Sequence, residues 1–280
     1  MIYEHEIPSQ SHLYFGATAK LKRQIETVAS EILLNSGYDE IVTPLLSYHQ
    51  HQSIDEKKLI KFSDEYNHTL SLRFDSTLDV VRLITKRLGR STENKKWFYI
   101  QPIFQYPSIQ KYQVGAELIE NSNLFFSIND SIKIFQKLNL LPILQISNIN
   151  IPKLIAKELN ISIELFKNAN LEEILNINLP WLNKLVYLRE LSQIDDIIMD
   201  VPNSIKQELE QIKTLAKQIK YDNLVISPLY YAKMRYYDNL FFRFFKQNST
   251  LGMGGNYQYQ NMNSSGFALY IDELIEELIK

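Results

Sequence analysis

Three residues near the middle of the chain have the types and spacing needed to bind a small polar ligand. Within the segment from Tyr112 to Ile119, Gln113, Gly115 and Glu117 alternate with apolar residues. Side chains of an extended strand point alternately to opposite faces, so these three residues share one face. A glycine between two polar residues leaves space for a ligand that donates a hydrogen bond to Glu117. A solvent-facing polar stripe would produce the same alternation.

A second group of polar residues stands just before a predicted helix. Asp75, Ser76 and Thr77 precede an amphipathic run from Leu78 to Leu88. Short polar side chains at a helix start accept hydrogen bonds from backbone N–H groups that have no partner within the helix. Capping therefore explains Asp75, but it does not require all three residues.

A β-hairpin from Trp97 to Ile119 would position the first group. Aromatic and β-branched residues favour a strand from Trp97 to Gln105, and Pro107 with Ser108 favours a turn. The clearest helix is predicted over Thr18–Asn35, where apolar residues recur every three or four positions.

The other elements follow from the same periodicities. Further helices are predicted at Asn129–Asn139, within Ile151–Ile219 and at the end of the chain, and further strands at Leu70–Phe74, Pro142–Ser147, Leu224–Ser227, Met234–Phe245 and Gly266–Tyr270. The glycines of the segment GMGGNYQY indicate a close approach between backbone segments. This order of elements predicts an α+β fold in which helices cover an antiparallel sheet.

Composition and charge exclude several classes of function. The chain has 280 residues, a formal net charge of −2 and no cysteine. This charge gives no nucleic-acid footprint, and the lack of cysteine removes disulfides, thiolate metal sites and a thiol nucleophile. His49 and His51 form the only close histidine pair, which is weak support for a metal. The N-terminus resembles no secretory signal and no apolar stretch is long enough to span a membrane, so we expect a cytoplasmic protein.

Several segments together resemble the class II aminoacyl-tRNA synthetases, and specifically their histidyl-tRNA synthetase branch. These segments are GYDEIVTP (Gly37–Pro44), LRFDST (Leu72–Thr77), the hairpin with QVGAE (Gln113–Glu117), the pair Tyr236–Tyr237, and GGNY (Gly254–Tyr257) within the segment Gly252–Leu274. The resemblance implies one core domain over residues 1–280, with an antiparallel sheet flanked by helices and a mainly helical insertion at about 151–220. The C-terminal anticodon-binding domain of the synthetases would be absent.

The resemblance also implies a histidine-binding site. Carried over residue by residue, that site consists of Asp75, Thr77, Gln113, Glu117, Tyr237 and Tyr257. An ammonium group needs the carboxylate, hydroxyl and amide oxygens that the first three residues supply. An imidazole N–H needs a carboxylate acceptor such as Glu117, and tyrosine hydroxyls could fix the tilt of the ring.

Residues that bind ATP in the synthetases are replaced in this chain. The expected arginines fall on Gln105, Ala232 and Glu273, and an expected acid falls on Pro107. Neutral or acidic groups leave a triphosphate without matching charge, and the loss of one such donor costs roughly a hundredfold or more in rate. We therefore expect no tRNA charging and no catalytic residue.

The regulatory subunits of ATP phosphoribosyltransferase show the same profile within this branch. The resemblance implies a non-catalytic partner of the short catalytic subunit that acts in the first step of histidine biosynthesis and senses histidine. It also implies a homodimer through the region 18–44, a larger hetero-oligomer, and no cofactor, metal, nucleic acid or membrane. Lys233 or Arg235 could replace the cation expected at Ala232.

Two alternatives remain open from the sequence. One is a divergent enzyme that activates an amino acid with ATP without using tRNA. The other is a dimeric scaffold with a relict pocket, since the aromatic run MRYYDNLFFRFF is also typical of a packed core.

Overall fold

The structure is a computed structural model that describes residues 6–48, 54–89, 91–232 and 237–280. It divides into two compact units. The first unit consists of Met1–Ile119, Lys133–Leu140 and Gly266–Lys280, and the second of Glu120–Ile132 and Leu141–Ser265. Among the helices in the described ranges, none is both long enough and apolar enough to cross a lipid bilayer.

Helices and strands alternate irregularly along the chain. The helices are α1 (Gly16–Asn35), α2 (Ser76–Leu83), α3 (Leu124–Lys137), α4 (Asn150–Glu158), α5 (Glu164–Lys167), α6 (Leu171–Asn176), α7 (Pro180–Tyr187), α8 (Ile194–Ile198), α9 (Asn203–Gln218) and α10 (Ile271–Ile279). The strands are β1 (Asp39–Glu40), β2 (Leu46–Ser47), β3 (Lys61–Ser63), β4 (Thr69–Leu72), β5 (Lys96–Gln105), β6 (Ile109–Leu118), β7 (Ile143–Asn148), β8 (Leu224–Ile226), β9 (Tyr237–Lys246), β10 (Ser249–Tyr259) and β11 (Met262–Tyr270).

The first unit is built around the antiparallel hairpin of β5 and β6. Trp97 pairs with Glu117, and Tyr99 pairs with Gly115. Strand β1 lies parallel to β5, and β2, β4 and β3 form a separate small sheet. Helix α10 contacts both β6 and α1. Ile25, Ala29 and Leu33 form the fully buried face of α1, whereas Val28 and Ile32 of the apolar repeat are only partly buried.

The second unit contains a sheet in which β9 pairs antiparallel with β10 and β7, while β8 pairs parallel with β7. Helices α4 to α9 lie between β7 and β8 in the chain, and α9 contacts both α4 and β7. Parallel neighbours need a long connection, which these helices supply. The predicted α+β fold, with helices flanking a largely antiparallel sheet, is confirmed, and two strand pairs, β1 with β5 and β8 with β7, are parallel.

One helix begins earlier than the sequence predicts. Helix α3 begins at Leu124 rather than Asn129, since the Asn123 side chain accepts a hydrogen bond from the Phe125 amide at 3.1 Å and supports an earlier start. The glycine-containing segment around Gly255 lies inside β10, where its nearest neighbours are side-chain atoms of Tyr237 and Phe241 rather than backbone. A β-carbon at Gly255 would lie 2.7 Å from the Tyr237 ring. His49, His51 and Met234 lie outside the described residues.

A tyrosine–carboxylate pair links the N-terminal segment of the first unit to α10. The Tyr14 hydroxyl donates to Asp272, whose other carboxylate oxygen accepts from the Tyr112 amide at 2.9 Å. Burial, followed by the hydrogen bond to Asp272 and its charge, raises the pKa of Tyr14 above its ordinary value. The folded state therefore holds the tyrosine proton more tightly than the unfolded chain does.

Because of this pair, the free energy of unfolding depends on pH in the alkaline range. Its contribution is complete below the unfolded tyrosine pKa of about 10 and is lost as pH rises above that value. We expect Tyr14→Phe to lower the free energy of unfolding at neutral pH by about 1 kcal/mol. We also expect a shallower loss of stability in this variant between pH 9 and 11, measured by urea unfolding. Tyr187→Phe, at an exposed tyrosine, is the control, and an unchanged alkaline slope in Tyr14→Phe would contradict the assignment.

Candidate functional site

The polar face of β6 is buried. Glu117 is 0% exposed and Gln113 is 7% exposed, and the apolar residues that alternate with them are buried as well. Both faces of this strand are therefore covered, and the alternative of a solvent-facing stripe is wrong. A carboxylate that loses water in this way must be compensated by hydrogen bonds or by a charged group.

Tyr99 lies between Thr77 and Glu117 within the first unit. Its hydroxyl is 3.2 Å from Thr77 Oγ1 and 3.5 Å from Glu117 Oε1, and the residue is 0% exposed. Its ring lies over Gly115, where a β-carbon would come within 2.1 Å of the ring. The space that the sequence assigned to a ligand over Gly115 is thus filled by Tyr99. The glycine is required by a neighbouring side chain, which in turn joins Thr77 to Glu117.

Sequence reasoning missed Tyr99, although a signal was present. Directly opposite residues in an antiparallel hairpin interact across the strands, and the register places Tyr99 opposite Gly115. An aromatic residue that faces a glycine in this way can lean over its backbone. The register could have been inferred only if the exact turn had been known, because a shift of one residue reverses every face.

A second glycine, Gly266, lies directly against the Glu117 carboxylate. A β-carbon at Gly266 would lie 1.9 Å from Glu117 Oε2 and 2.8 Å from the Ala116 carbonyl oxygen. The Glu117 side chain therefore rests against the backbone of β11, and its position is fixed by packing as well as by hydrogen bonds.

Asp75 and Thr77 lie together at the start of α2. Asp75 Oδ1 accepts a hydrogen bond from the Leu78 amide at 3.0 Å, which confirms its predicted role as an N-cap. Thr77 is 7% exposed and makes the contact with Tyr99 already described. The structure thus brings Thr77, Tyr99 and Glu117 together within the first unit.

A buried arginine that sequence reasoning did not single out holds this region. Arg73 is 3% exposed and donates to Thr43 Oγ1 at 3.0 Å, to the Thr43 and Pro44 carbonyl oxygens at 2.5 and 3.1 Å, and to the Pro102 carbonyl oxygen at 2.8 Å. Burial lowers the pKa of its guanidinium. Arg73 links the segment after β1 to β5, two residues before Asp75.

The two predicted tyrosines lie in the second unit. Tyr237 and Tyr257 are paired across β9 and β10 and are 7% and 1% exposed. The Tyr237 ring stacks on Phe241 with 6.4 Å between centroids and 15° between planes. A polar cavity of about 400 Å³ is lined by Tyr257 together with Ser122, Asn150, Gln211, Asp238, Asn239, Leu240, Asn256, Asn263 and Ser264. Tyr236, Lys233 and Arg235 fall outside the described residues.

The three positions at which the synthetases have ATP-binding arginines lie in different surroundings in this structure. Gln105 ends β5, Ala232 is 5% exposed, and Glu273 lies in the first turn of α10. A buried methyl group at position 232 cannot bind an anion.

Comparisons with known proteins agree on one lineage. The Histidyl-tRNA synthetase family model matches residues 15–274. The chain is 44% identical to the ATP phosphoribosyltransferase regulatory subunit of Wolinella succinogenes, over 100% of this chain and 98% of that protein.

Two solved structures share the fold. One is an ATP phosphoribosyltransferase regulatory subunit/histidyl-tRNA synthetase from Bacillus halodurans, with a TM-score of 0.84, 21% identity, and coverage of 99% of this chain and 84% of that chain. The other belongs to the ATP phosphoribosyl transferase (HisG:HisZ) complex from Thermotoga maritima, with a TM-score of 0.69, 16% identity, and coverage of 90% and 97%.

Proposed function

This chain belongs to the ATP phosphoribosyltransferase regulatory subunit family, and from that membership we propose that it binds the short catalytic subunit and senses histidine. It would thereby regulate the first step of histidine biosynthesis in the cytoplasm. The full-length identity to the Wolinella succinogenes subunit carries the proposal.

Histidine matches the chemistry of the six sequence-predicted residues. In the proposed complex, Asp75, Thr77 and Gln113 accept hydrogen bonds from the ammonium group, and Glu117 accepts one from the imidazole. Hydrogen bonds to a buried carboxylate are stronger than those between neutral groups, so Glu117 would supply most of the selectivity for the ring. The hydroxyls of Tyr237 and Tyr257 would set the tilt of the ring. Isothermal titration with histidine tests this proposal, and the absence of heat up to about 1 mM would remove it.

Asp75 offers a way to separate ligand binding from folding. Asp75→Asn keeps an oxygen that can cap α2 and removes the charge that would bind an ammonium group. We expect histidine affinity to fall by roughly tenfold or more while the melting temperature stays within about 2 °C of the unmodified chain. Asp75→Ala should lower both affinity and stability, the latter by about 1 kcal/mol. Equal affinity in Asp75→Asn and the unmodified chain would exclude Asp75 from the site.

The catalytic partner is tested by mixing purified proteins. The solved Thermotoga maritima complex, whose chain shares this fold, supports an assembly of the same kind. We expect the chain to co-elute with a short ATP phosphoribosyltransferase subunit, to raise its activity, and to make that activity sensitive to histidine. If neither co-elution nor activation is seen, the partner proposal fails while histidine binding can still stand.

A homodimer through the region 18–44 is the proposed core of this assembly. In this region Leu34 is 55% exposed and Val42 is 78% exposed, and the neighbouring Leu45 and Leu46 are also half exposed. Exposed apolar side chains in such a cluster are typical of an interface between subunits.

Val42→Asp tests the dimer. A charge placed in an apolar interface loses its water without gaining a partner. We therefore expect the dissociation constant of the dimer to rise a hundredfold or more, which corresponds to a loss of binding free energy on the order of 3 kcal/mol. Sedimentation equilibrium measures this change. Met199→Asp is the matched control, because Met199 is 76% exposed and lies in the second unit. A dimer that survives Val42→Asp and not Met199→Asp would place the interface elsewhere.

The proposal includes the absence of synthetase activity. A nucleotide would meet Gln105, Ala232 and Glu273 where the synthetases have arginines. Histidine-dependent exchange of pyrophosphate into ATP should therefore be undetectable, and measurable exchange would favour the amino-acid-activating alternative.

A further inference from the structure

A separate cavity lies within the helical part of the second unit. It has a volume of about 520 Å³ and lies between α5, α6, α7 and the segment 227–231 that follows β8. Its floor is formed by apolar side chains that are at most 8% exposed, namely Phe166, Ile174, Leu185, Val186 and Leu229. A cavity of this size that combines a buried apolar floor with several polar side chains is typical of small-molecule sites.

The charged residues that line this cavity are both cations, Lys167 and Arg189. The Lys167 ammonium is paired with Glu164 at 2.6 Å and lies 5.9 Å from the centroid of the Tyr231 ring. Because Glu164 balances its charge, Lys167 contributes a weak positive potential. The stronger anchor for an anion is Arg189.

Arg189 is held in a fixed position. Its Nη1 donates to the carbonyl oxygens of Val186 and Leu188 at 2.9 and 2.7 Å, and its main-chain amide donates to Gln193 Oε1 at 2.9 Å. Within the described part of the chain, no carboxylate forms an ion pair with it. Arg189 is exposed at the cavity, and a guanidinium has five N–H donors in a rigid plane, so donors remain for an anion beyond those bonded to the two carbonyl oxygens.

We propose that this cavity binds a small hydrophobic carboxylate, with the carboxylate on Arg189 and the apolar body on the floor. An uncharged ligand would gain no electrostatic attraction from the exposed Arg189 guanidinium, and an organic cation would be repelled by it. Histidine fits poorly, because its ammonium group would enter a positive rim and its imidazole would meet no buried acceptor. The site is therefore distinct from the proposed histidine site and does not depend on it.

The test compares a carboxylate with its amide. Isothermal titration of the full chain is performed with 3-phenylpropionate and with 3-phenylpropionamide. Because Arg189 is exposed and water screens its charge, we expect the amide to bind about 2–5-fold more weakly than the carboxylate. Equal affinities for the two probes, or no carboxylate binding up to about 10 mM, would overturn the proposal.

Two variants act on the site in different ways. Arg189→Gln removes the anchor and should weaken carboxylate binding about 2–5-fold while leaving amide binding unchanged. Ser227→Leu fills part of the cavity, leaves both cations in place, and should weaken the carboxylate and the amide alike. Lys184→Gln on α7 is the control, since this exposed lysine pairs with Asp200 and does not line the cavity.

The variants also separate this proposal from the proposed function. Histidine titrations should be unchanged in all three variants, and circular dichroism shows whether each one is folded. Unaltered carboxylate binding in both Arg189→Gln and Ser227→Leu would refute the site. Failure of histidine binding in the unmodified chain would leave this result unaffected.

Discussion

Replacing Glu117 with glutamine should weaken histidine binding by roughly a hundredfold or more. The Glu117 side chain is completely buried, lies close to the hydroxyl of Tyr99, and rests against the backbone at Gly266. Glutamine has nearly the same shape, so the change removes charge without opening a cavity. Removing one charged partner of a buried hydrogen bond costs about 2–5 kcal/mol of binding free energy. This loss exceeds the one expected at any other residue of the predicted histidine site.

The measurement is a pair of titrations, with histidine and with an analogue whose ring lacks N–H groups. In the unmodified chain, histidine should bind much more tightly than the analogue. In Glu117→Gln the two affinities should become more similar, because glutamine keeps an acceptor oxygen but loses the charge that strengthens the hydrogen bond from the ring. Glu172→Gln, at an exposed glutamate of α6, controls for the change in net charge. Retained discrimination between the two ligands in Glu117→Gln would exclude this residue as the ring acceptor.

Arg73→Met should be the most destabilising substitution in the first unit. Methionine keeps much of the aliphatic volume, but it leaves the carbonyl oxygens of Thr43, Pro44 and Pro102 without their donors. Each buried acceptor that loses its partner costs about 1–3 kcal/mol, so we expect a total loss of at least about 3 kcal/mol. Arg73→Lys should recover only part of this, since one ammonium group cannot reach all the acceptors of a planar guanidinium.

Denaturant unfolding measures the loss of stability. Arg23→Met is the matched control, because the Arg23 side chain is 81% exposed and pairs with Glu26 on the surface of α1. Surface changes of this kind usually alter stability by less than about 0.5 kcal/mol. If the two variants unfold alike, Arg73 does not hold the segment before α2.

Much of the fold could be predicted from the sequence, namely those elements whose residue pattern depends only on neighbours within the same helix or strand. Helices α1 and α9 follow from a 3.6-residue period, and the buried residues Ile205, Leu209 and Ile212 confirm the period in α9. The N-cap role of Asp75 is also local, because the acceptor and the donor are three residues apart.

The features that escaped prediction depend on distant residues. Arginine is normally exposed, so nothing in LRFDST indicates that Arg73 is buried against carbonyl oxygens from other segments. The role of Tyr99 depends on strand register, and that of Gly266 on a carboxylate almost 150 positions away in the chain. The assignment of the six histidine-site residues came from family resemblance, and it remains a prediction for the titrations to test.

The contact between Tyr99 and Gly115 limits how descendants of this chain can diverge. Gly115 has no unusual backbone torsion that demands glycine; it is held by the aromatic ring that lies over it. A lineage could therefore acquire a larger residue at 115 only after, or together with, the loss of the ring at 99. The constraint acts in one direction: position 99 can change while Gly115 is kept, but Gly115 cannot be replaced by a larger residue while the ring at 99 is kept.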